Sequence, residues 1–142
     1  MFNVTVLCVG QMKESYLQQC AAEYSKRLGA FCRLQVTETE TDRLLPLLSQ
    51  HPRAYKVALC VEGKQLSSEE LAGCLEALPG RGYGGAVFVI GGFDGLPEEV
   101  KAACDLRLSF SKMTFPHRLM RIILLEQIYR AFTIINHGKY HH

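Results

Sequence analysis

Short apolar runs rich in valine, leucine and isoleucine recur along the chain, and stretches whose apolar residues follow helical spacing lie between them. Several of these runs do not alternate apolar with polar residues, which indicates strands that are buried on both faces. Strands and helices that alternate in this way predict a mostly parallel α/β sheet of about five to six strands with helices on both faces. The predicted strands are Asn3–Val9, Phe31–Thr37, Lys56–Val61, Ala86–Ile90 and Asp105–Phe110.

Local signals mark the ends of the predicted helices. Gly29 is a natural stop for the first helix, and Ser67 with Glu70 has the spacing of a capping box. The segment 62–64 is predicted to turn the chain away from the third strand. The predicted helices are Met12–Leu28, Thr41–Gln50, Ser67–Leu78, one that starts at Leu96–Glu99, and His117–Asn136. No repeat or linker divides the 142 residues, so we predict one domain over residues 1–142.

Composition narrows the class of protein. No apolar run approaches the roughly 20 residues that a helix needs to cross a bilayer. The opening segment MFNVTVLCVG has no basic residue before its apolar residues, so we expect a first strand and not a signal peptide. The formal net charge of +2 is too small to indicate nucleic-acid binding by itself.

The six cysteines form no C-x-x-C pair, and Cys8 and Cys60 lie within apolar runs. This pattern favours reduced, mostly buried thiols and a cytoplasmic protein. His137, His141 and His142 have no cysteine near them in the sequence, so we expect no metal site.

The stretch Val87–Gly95, VFVIGGFDG, carries an apolar strand into a pair of glycines. Its spacing fits neither the Walker loop nor the dinucleotide-binding fingerprint, and it has no lysine or hydroxyl for the former. Glu98 and Glu99 follow at the start of a helix, where they oppose the binding of an anion. The bare backbone at Gly91 therefore favours close approach of an uncharged or cationic ligand.

A second segment, Phe110–His117 or FSKMTFPH, lies between the last strand and the last helix. Ligands of open parallel sheets bind at the carboxyl ends of strands. Leu59–Gly63 and Gly91–Gly92 belong to the same rim, so the pattern predicts one crevice formed by three strand ends. An ordinary connection that ends in a proline also fits these residues.

The last predicted helix is apolar around most of its surface. Six of the seven residues Leu119–Leu125 are apolar, with Arg121 the exception, whereas a surface helix needs a stripe only about 100° wide. The helix is therefore central, or its second face meets another subunit, and a symmetric dimer is the simpler explanation. Glu126 and Arg130 are four residues apart, which is compatible with a simple ion pair or with a role toward substrate.

Three segments carry a resemblance to a known family: IGGFDGL, LSFSKMTFPH, and the helix MRIILLEQIYRAF with a tail that ends in Tyr140-His141. The chain resembles the bacterial 23S rRNA pseudouridine N3-methyltransferases, which belong to the SPOUT class of knotted α/β methyltransferases. The resemblance covers nearly the whole chain. It is strongest from about Lys56 to His141 and weakest over Thr39–Arg53.

The resemblance implies a C-terminal trefoil knot, S-adenosylmethionine bound in a bent conformation, and a homodimer whose interface includes the last helix. It also implies 23S rRNA within the assembled ribosome as the partner, with no membrane and no metal involved. Carried over by position, the cofactor-binding residues are Leu59, Gly91, Phe110, Ser111, Lys112, Met113, Thr114 and Phe115.

The implied reaction moves a methyl group from a sulfonium to an imide nitrogen that carries a proton, so the enzyme must align that nitrogen and help to remove the proton. The candidate catalytic residues are His117, Arg130, Tyr140 and His141, although a histidine bonded to backbone at a helix start would explain His117 equally well. Arg118, Arg121 and Arg130 are expected to hold phosphates or the substrate base. The general base is left open.

Two other functions fit part of the pattern. A small nucleotide-binding protein of flavodoxin type would need a phosphate loop after the first strand, where Val9–Lys13 is poor in glycine and hydroxyl residues. A non-catalytic dimeric module that binds RNA or ribosomes would keep the basic residues but not the cofactor pocket.

Overall fold

A computed structural model describes residues 1–138 and Tyr140. The strands are β1 (Asn3–Val9), β2 (Arg33–Thr39), β3 (Ala54–Gln65), β4 (Gly85–Ile90) and β5 (Leu106–Ser109). The helices are α1 (Ser15–Leu28), α2 (Leu44–Ser49), α3 (Ser68–Ala77), α4 (Glu98–Ala102) and α5 (His117–Ile135), with 3-10 turns before α2 and after α3. The predicted order of strands and helices is confirmed, and most ends lie within about three residues of their predicted positions.

The strands form one sheet in the order β2-β1-β4-β3-β5. Every neighbouring pair is parallel, so the predicted parallel sheet is confirmed. β4 lies at the centre, and all six of its residues are buried. This burial on both faces is the reason that its sequence, GAVFVI, does not alternate.

Helices cover both faces of the sheet, as predicted. The larger core joins one face to α1, α3 and α5, and includes Phe88, Leu75 and Ile128. The smaller core joins the other face to α2 and α4 through Leu48 and Val100. The predicted capping box holds the start of α3, where Ser67 and Glu70 exchange side-chain and backbone hydrogen bonds.

The predicted turn at 62–64 is wrong, because β3 continues to Gln65. Leu59 and Lys64 both pair with Leu108 of β5, so the residues between them bulge outward and the strand then rejoins its neighbour. A Cβ at Gly63 would lie 2.7 Å from the carbonyl carbon of Arg107. Gly63 therefore lets β3 approach the backbone of β5 closely, whereas the sequence pattern predicted a turn at this glycine.

α5 is a central helix of the single chain. It packs between α1 and α3 and against the sheet, and its buried residues lie on more than one side. Of the two explanations for its apolar breadth, burial within one chain accounts for most of it. The breadth of α5 by itself therefore no longer requires a second subunit. The knot that the resemblance implies stays a prediction.

All six cysteines carry free thiols. Burial raises the pKa of the Cys8 and Cys32 thiols to about 11, which keeps both protonated at neutral pH. Across the described residues, no helix combines the length and the apolar character needed to cross a membrane.

Candidate functional site

A cleft of about 550 Å³ opens at the bulge of β3 and the ends of β4 and β5. Its walls come from segments 59–62, 90–96, 108–111 and 113–117, together with Lys101 and Met120. The three predicted segments therefore line one cleft, although residues 59–62 lie within β3 and not at its end. The position follows from topology, because parallel strands deliver their carboxyl ends to the same edge of a sheet.

Seven of the eight predicted cofactor-binding residues line this cleft: Leu59, Gly91, Phe110, Ser111, Met113, Thr114 and Phe115. The eighth, Lys112, lies on the same loop with its side chain exposed to solvent. Apolar residues make up much of the lining, which also includes Asp94 and the ion pair between Glu62 and Lys101. Such a lining suits a ligand with an apolar ring and a positive charge.

The glycines after β4 build a tight turn. Gly95 donates its backbone N–H to the Gly92 carbonyl at 2.9 Å, and Gly95 has a φ of +77°, which favours glycine. A Cβ at Gly91 would lie 2.6 Å from the Gly95 carbonyl carbon. The turn itself thus requires a bare Gly91, a reason that the sequence alone did not reveal.

Hydrogen bonds also shape the loop between β5 and α5. The Ser109 hydroxyl donates to the Ser111 carbonyl at 3.0 Å, and the Met113 N–H donates to the Ser111 hydroxyl oxygen at 3.0 Å. The loop therefore bends back over the end of its own strand, and this bend brings Met113 and Phe115 to the cleft.

His117 is the first residue of α5 and lies between the cleft and the loop after β1. It lines the cleft, and its Nε2 would lie 3.5 Å from a Cβ placed on Gly10. Burial, followed by the charges of Arg118 and Arg121, lowers the pKa of His117 below its usual value. The imidazole is therefore neutral at neutral pH, as a proton acceptor must be.

Two arginines tie the start of α5 to the loop after β1. Arg118 donates from Nε to the Gln11 carbonyl at 2.9 Å and pairs with Glu14 at 3.3 Å. Arg121 donates from Nη1 to Glu38 Oε2 at 2.6 Å and from Nη2 to the Gly10 carbonyl at 3.4 Å. Both side chains thus hold the loop after β1 against the first turn of α5, next to His117.

The expectation that Arg121 holds a phosphate or a substrate base is wrong. Arg121 is 4% exposed, and its ion-pair partner Glu38 also accepts a hydrogen bond from the Met12 N–H. The Arg121 Nε is buried and has no hydrogen-bond partner among residues 1–138 and Tyr140. Its position as the lone charge in an apolar run was the sequence signal for a buried structural role.

A second polar cluster surrounds Glu126 near the other end of α5. Tyr24 and Tyr140 both donate their hydroxyls to Glu126 Oε1, at 2.8 and 2.6 Å. Arg130 donates to Glu126 Oε2 at 2.9 Å and lies over the Tyr140 ring at 5.0 Å. Burial raises the pKa of the Glu126 carboxyl, but the three hydrogen bonds outweigh it and hold that pKa below its usual value.

The structure divides the predicted catalytic residues. Arg130 lies 13 positions after His117 on one continuous helix, which separates their backbones by about 20 Å. Arg130 and Tyr140 contact Glu126 and lie outside the cleft lining. His141 lies outside the described residues. The sequence left two alternatives for Glu126 and Arg130, an ion pair or a role toward substrate, and the structure shows the ion pair.

Comparisons with known proteins agree over nearly the whole length. Residues 2–141 match the family model described as "Predicted SPOUT methyltransferase". The chain is 42% identical to the Ribosomal RNA large subunit methyltransferase H of Clostridioides difficile (strain 630), over 98% of this chain and 99% of that protein. It is 44% identical to the protein of the same name from Pelotomaculum thermopropionicum, over 100% of both chains.

Solved structures show the same fold at low identity. A methylase family protein from Haemophilus influenzae Rd KW20 superposes with a TM-score of 0.63 at 12% identity, over 99% of this chain and 71% of that one. A methyltransferase from Legionella pneumophila, solved with bound S-adenosylmethionine, superposes with a TM-score of 0.56 at 11% identity, over 92% and 66%.

Proposed function

The chain belongs to the SPOUT methyltransferase family, and from this premise we propose that it methylates 23S rRNA with S-adenosylmethionine as the methyl donor. The acceptor that we propose is N3 of a pseudouridine, on the assembled ribosome and hence in the cytoplasm. The observation that carries the proposal is the cleft of about 550 Å³ at the bulge of β3 and the ends of β4 and β5, which gathers seven of the eight residues that the resemblance assigns to the cofactor.

The cleft has the chemistry that S-adenosylmethionine needs. Leu59 and Phe115 can enclose the adenine ring, and the backbone of the loop Phe110–Phe115 offers N–H and C=O groups to its edges. The carboxylate of Asp94 in the lining suits a positive charge, whereas Glu62 already pairs with Lys101. When bound, S-adenosylmethionine supplies an electrophilic methyl group and leaves as a neutral thioether.

His117 is the residue that we place next to the acceptor nitrogen. The nucleophile is an imide nitrogen whose proton must leave, and a neutral imidazole can accept it. The lowered pKa of His117 keeps this neutral form present to below neutral pH. Arg118 and Arg121 fix the backbone around His117 on the side of the loop after β1. The side of His117 that lines the cleft stays open.

Arg130 and Tyr140 stay candidates for the substrate side only if a second copy of the chain brings them to the cleft, and His141 stays a candidate with them. We therefore include a homodimer in the proposal. Leu119 is exposed on α5, and Leu17, Cys20 and Tyr24 of α1 are only half-buried. These partly uncovered apolar side chains lie on two helices that pack against each other, and we propose that a second copy covers them.

Two measurements test the proposal. Calorimetry with S-adenosylmethionine should detect binding, and the labelled methyl group should enter ribosomes that lack the modification. Ribosomes that carry uridine in place of the pseudouridine should accept little label. A folded protein that binds no S-adenosylmethionine would refute the methyltransferase function and favour a non-catalytic RNA-binding module.

Variants locate the substrate side. His117→Ala, Arg130→Ala and a chain that ends at Gly138 should keep S-adenosylmethionine affinity and lose turnover. Unchanged turnover in all three would remove the assignment of these residues, while the methyltransferase activity itself would stand.

A further inference from the structure

Phe93 is the most exposed large apolar side chain of residues 1–138 and Tyr140, at 91%. It occupies the tip of the turn between Gly92 and Gly95 and lines the cleft. Exposed apolar residues are common on protein surfaces, but a nearly fully exposed phenyl ring at the entrance of a ligand cleft is informative. The tight turn holds this ring at a defined place.

Met113 is a second exposed apolar residue of the cleft lining. Its side chain is 73% exposed and lines the same cleft. The hydrogen bond from its N–H to the Ser111 hydroxyl oxygen fixes its backbone. Phe93 and Met113 thus come from different loops, after β4 and after β5, and line one cleft. We call this pair the apolar lip.

We propose that the apolar lip stacks against an unpaired nucleobase of the substrate RNA at the entrance of the cleft. The inference rests on the proposed function, since it takes an RNA nucleotide as the molecule that enters. Aromatic rings bind any base through its face, and a thioether packs well against the same flat surface. An enzyme that acts on a base must first expose it from its stack, which leaves bases with free faces at the entrance.

The charges around the lip favour a base over a phosphate at Phe93. Asp94 is exposed beside Phe93 on the turn, and its carboxylate repels phosphate. Lys112 is exposed beside Met113 on the other loop and attracts it. An RNA strand can therefore place its backbone near Lys112 while a base reaches the phenyl ring.

The test compares affinity for ribosomes that lack the modification with affinity for S-adenosylmethionine. Stacking one base on an aromatic ring contributes about 1–3 kcal/mol, which is about a 5- to 150-fold change in dissociation constant. Phe93→Ala should weaken ribosome binding within this range, and Met113→Ala should weaken it less. Phe93→Tyr keeps the ring and should bind within about twofold of the unchanged protein.

Two controls accompany these variants. Leu45→Ala alters an exposed apolar residue on α2, outside the cleft lining, and should leave ribosome binding unchanged. The Phe93 variants should keep the S-adenosylmethionine affinity, measured by calorimetry, and the oligomeric state, measured by sedimentation. Met113 is itself a predicted cofactor-binding residue, so the ribosome affinity of Met113→Ala is measured with S-adenosylmethionine at saturation.

Three results would overturn the inference. Ribosome binding that is unchanged in Phe93→Ala and Met113→Ala would show that the lip contacts no base. A loss of S-adenosylmethionine affinity in Phe93→Ala would make the lip a cover for the cofactor, and a change in its oligomeric state would make the lip a contact between copies. Ribosome binding does not depend on turnover, so failure of the lip is distinct from failure of the proposed function, which would show as absent cofactor binding and methyl transfer in the unchanged protein.

Discussion

The two ends of α5 are held by different kinds of contact. At the start of the helix, Arg118 and Arg121 bind backbone carbonyls of the loop after β1, and Arg121 also pairs with Glu38 from within the protein. Near the other end, one half-buried carboxylate, Glu126, accepts hydrogen bonds from the side chains of Tyr24, Arg130 and Tyr140.

The comparison indicates which part of the site a single chain completes. At the start of α5, here called the cleft end, backbone contacts and a buried charge form the site within one chain. Near the last residues of α5, here called the tail end, a few side-chain hydrogen bonds to a single carboxylate hold Tyr140, so small changes can release it. The candidate catalytic residues are split between these ends, which is why a rigid half and an adjustable half are expected in the complete enzyme.

The largest expected effect is on turnover at the cleft end. His117→Ala removes the proposed proton acceptor and should lower kcat by about 10²- to 10⁴-fold, with the S-adenosylmethionine dissociation constant unchanged. Methyl transfer to ribosomes measures the first quantity and calorimetry the second. His51→Ala, away from the cleft, is the matched control. Normal turnover in His117→Ala would move the chemistry elsewhere.

The next effect is on stability at the same end. Glu38→Gln keeps the shape of the side chain and can still accept from the Met12 N–H, but it leaves Arg121 without its counter-charge. Breaking a fully buried pair costs about 3–5 kcal/mol, and since the Glu38 side chain is 40% exposed, we expect about 2–3 kcal/mol. Urea unfolding measures this decrease in the free energy of unfolding.

The control for that variant is Glu23→Gln, which breaks the surface pair with Arg27 and should leave the urea midpoint almost unchanged. Equal midpoints for Glu38→Gln and Glu23→Gln would mean that the buried pair does not hold the cleft end.

Two glycine substitutions distinguish steric crowding at the turn after β4 from the general effect of replacing glycine on stability. Gly91→Ala would place a Cβ 2.6 Å from backbone and should destabilise the fold by about 1–3 kcal/mol while weakening S-adenosylmethionine binding. Gly73→Ala lies in the interior of α3 with open space around it and should stabilise by about 0.5–1 kcal/mol. If both variants unfold alike, steric crowding at the turn is not the reason for Gly91.

The tail end should respond less. Tyr24→Phe removes a half-buried hydroxyl donor to Glu126 and should cost about 1 kcal/mol. Tyr140→Phe removes a donor to the same oxygen from a residue that is more exposed than Tyr24, at 36%, so its effect on unfolding should be smaller. A larger loss for Tyr140→Phe would mean that the tail, and not the α1 contact, holds the cluster.

The smallest effect is a shift in pH dependence. The neutral form of His117 is the active one, so kcat/KM should fall as pH drops through its pKa, which burial, Arg118 and Arg121 hold below the usual value. Arg118→Gln removes one of these causes, raises that pKa and should move the falling limb to higher pH by less than about one unit. A limb that moves to lower pH would contradict this origin.

The sequence predicted the fold well, because each element has a local signal. The capping box at Ser67 and Glu70 and the apolar run of β4 both appear where they were expected. The extension of β3 past Gly63 was missed, since the strand leaves and rejoins β5 through a bulge that depends on a distant backbone.

The site was predictable in part. Position at strand ends located the cleft, while the resemblance supplied the residues that hold the cofactor. Partners distant in sequence could not be predicted: Arg121 meets Glu38 across 83 positions, and Tyr24 meets Glu126 across 102. The exposure of Phe93 depends on the geometry of a turn, which the letters GGFDG alone do not give.

The central claim is that the cleft holds S-adenosylmethionine beside His117 and delivers its methyl group to a ribosomal pseudouridine. The most direct measurement is transfer of a labelled methyl group to ribosomes that lack the modification, with the labelled nucleotide identified by mass. The account predicts one methylated pseudouridine per ribosome with the unchanged protein and almost none with His117→Ala. Label on another nucleotide, or equal label with both proteins, would contradict it.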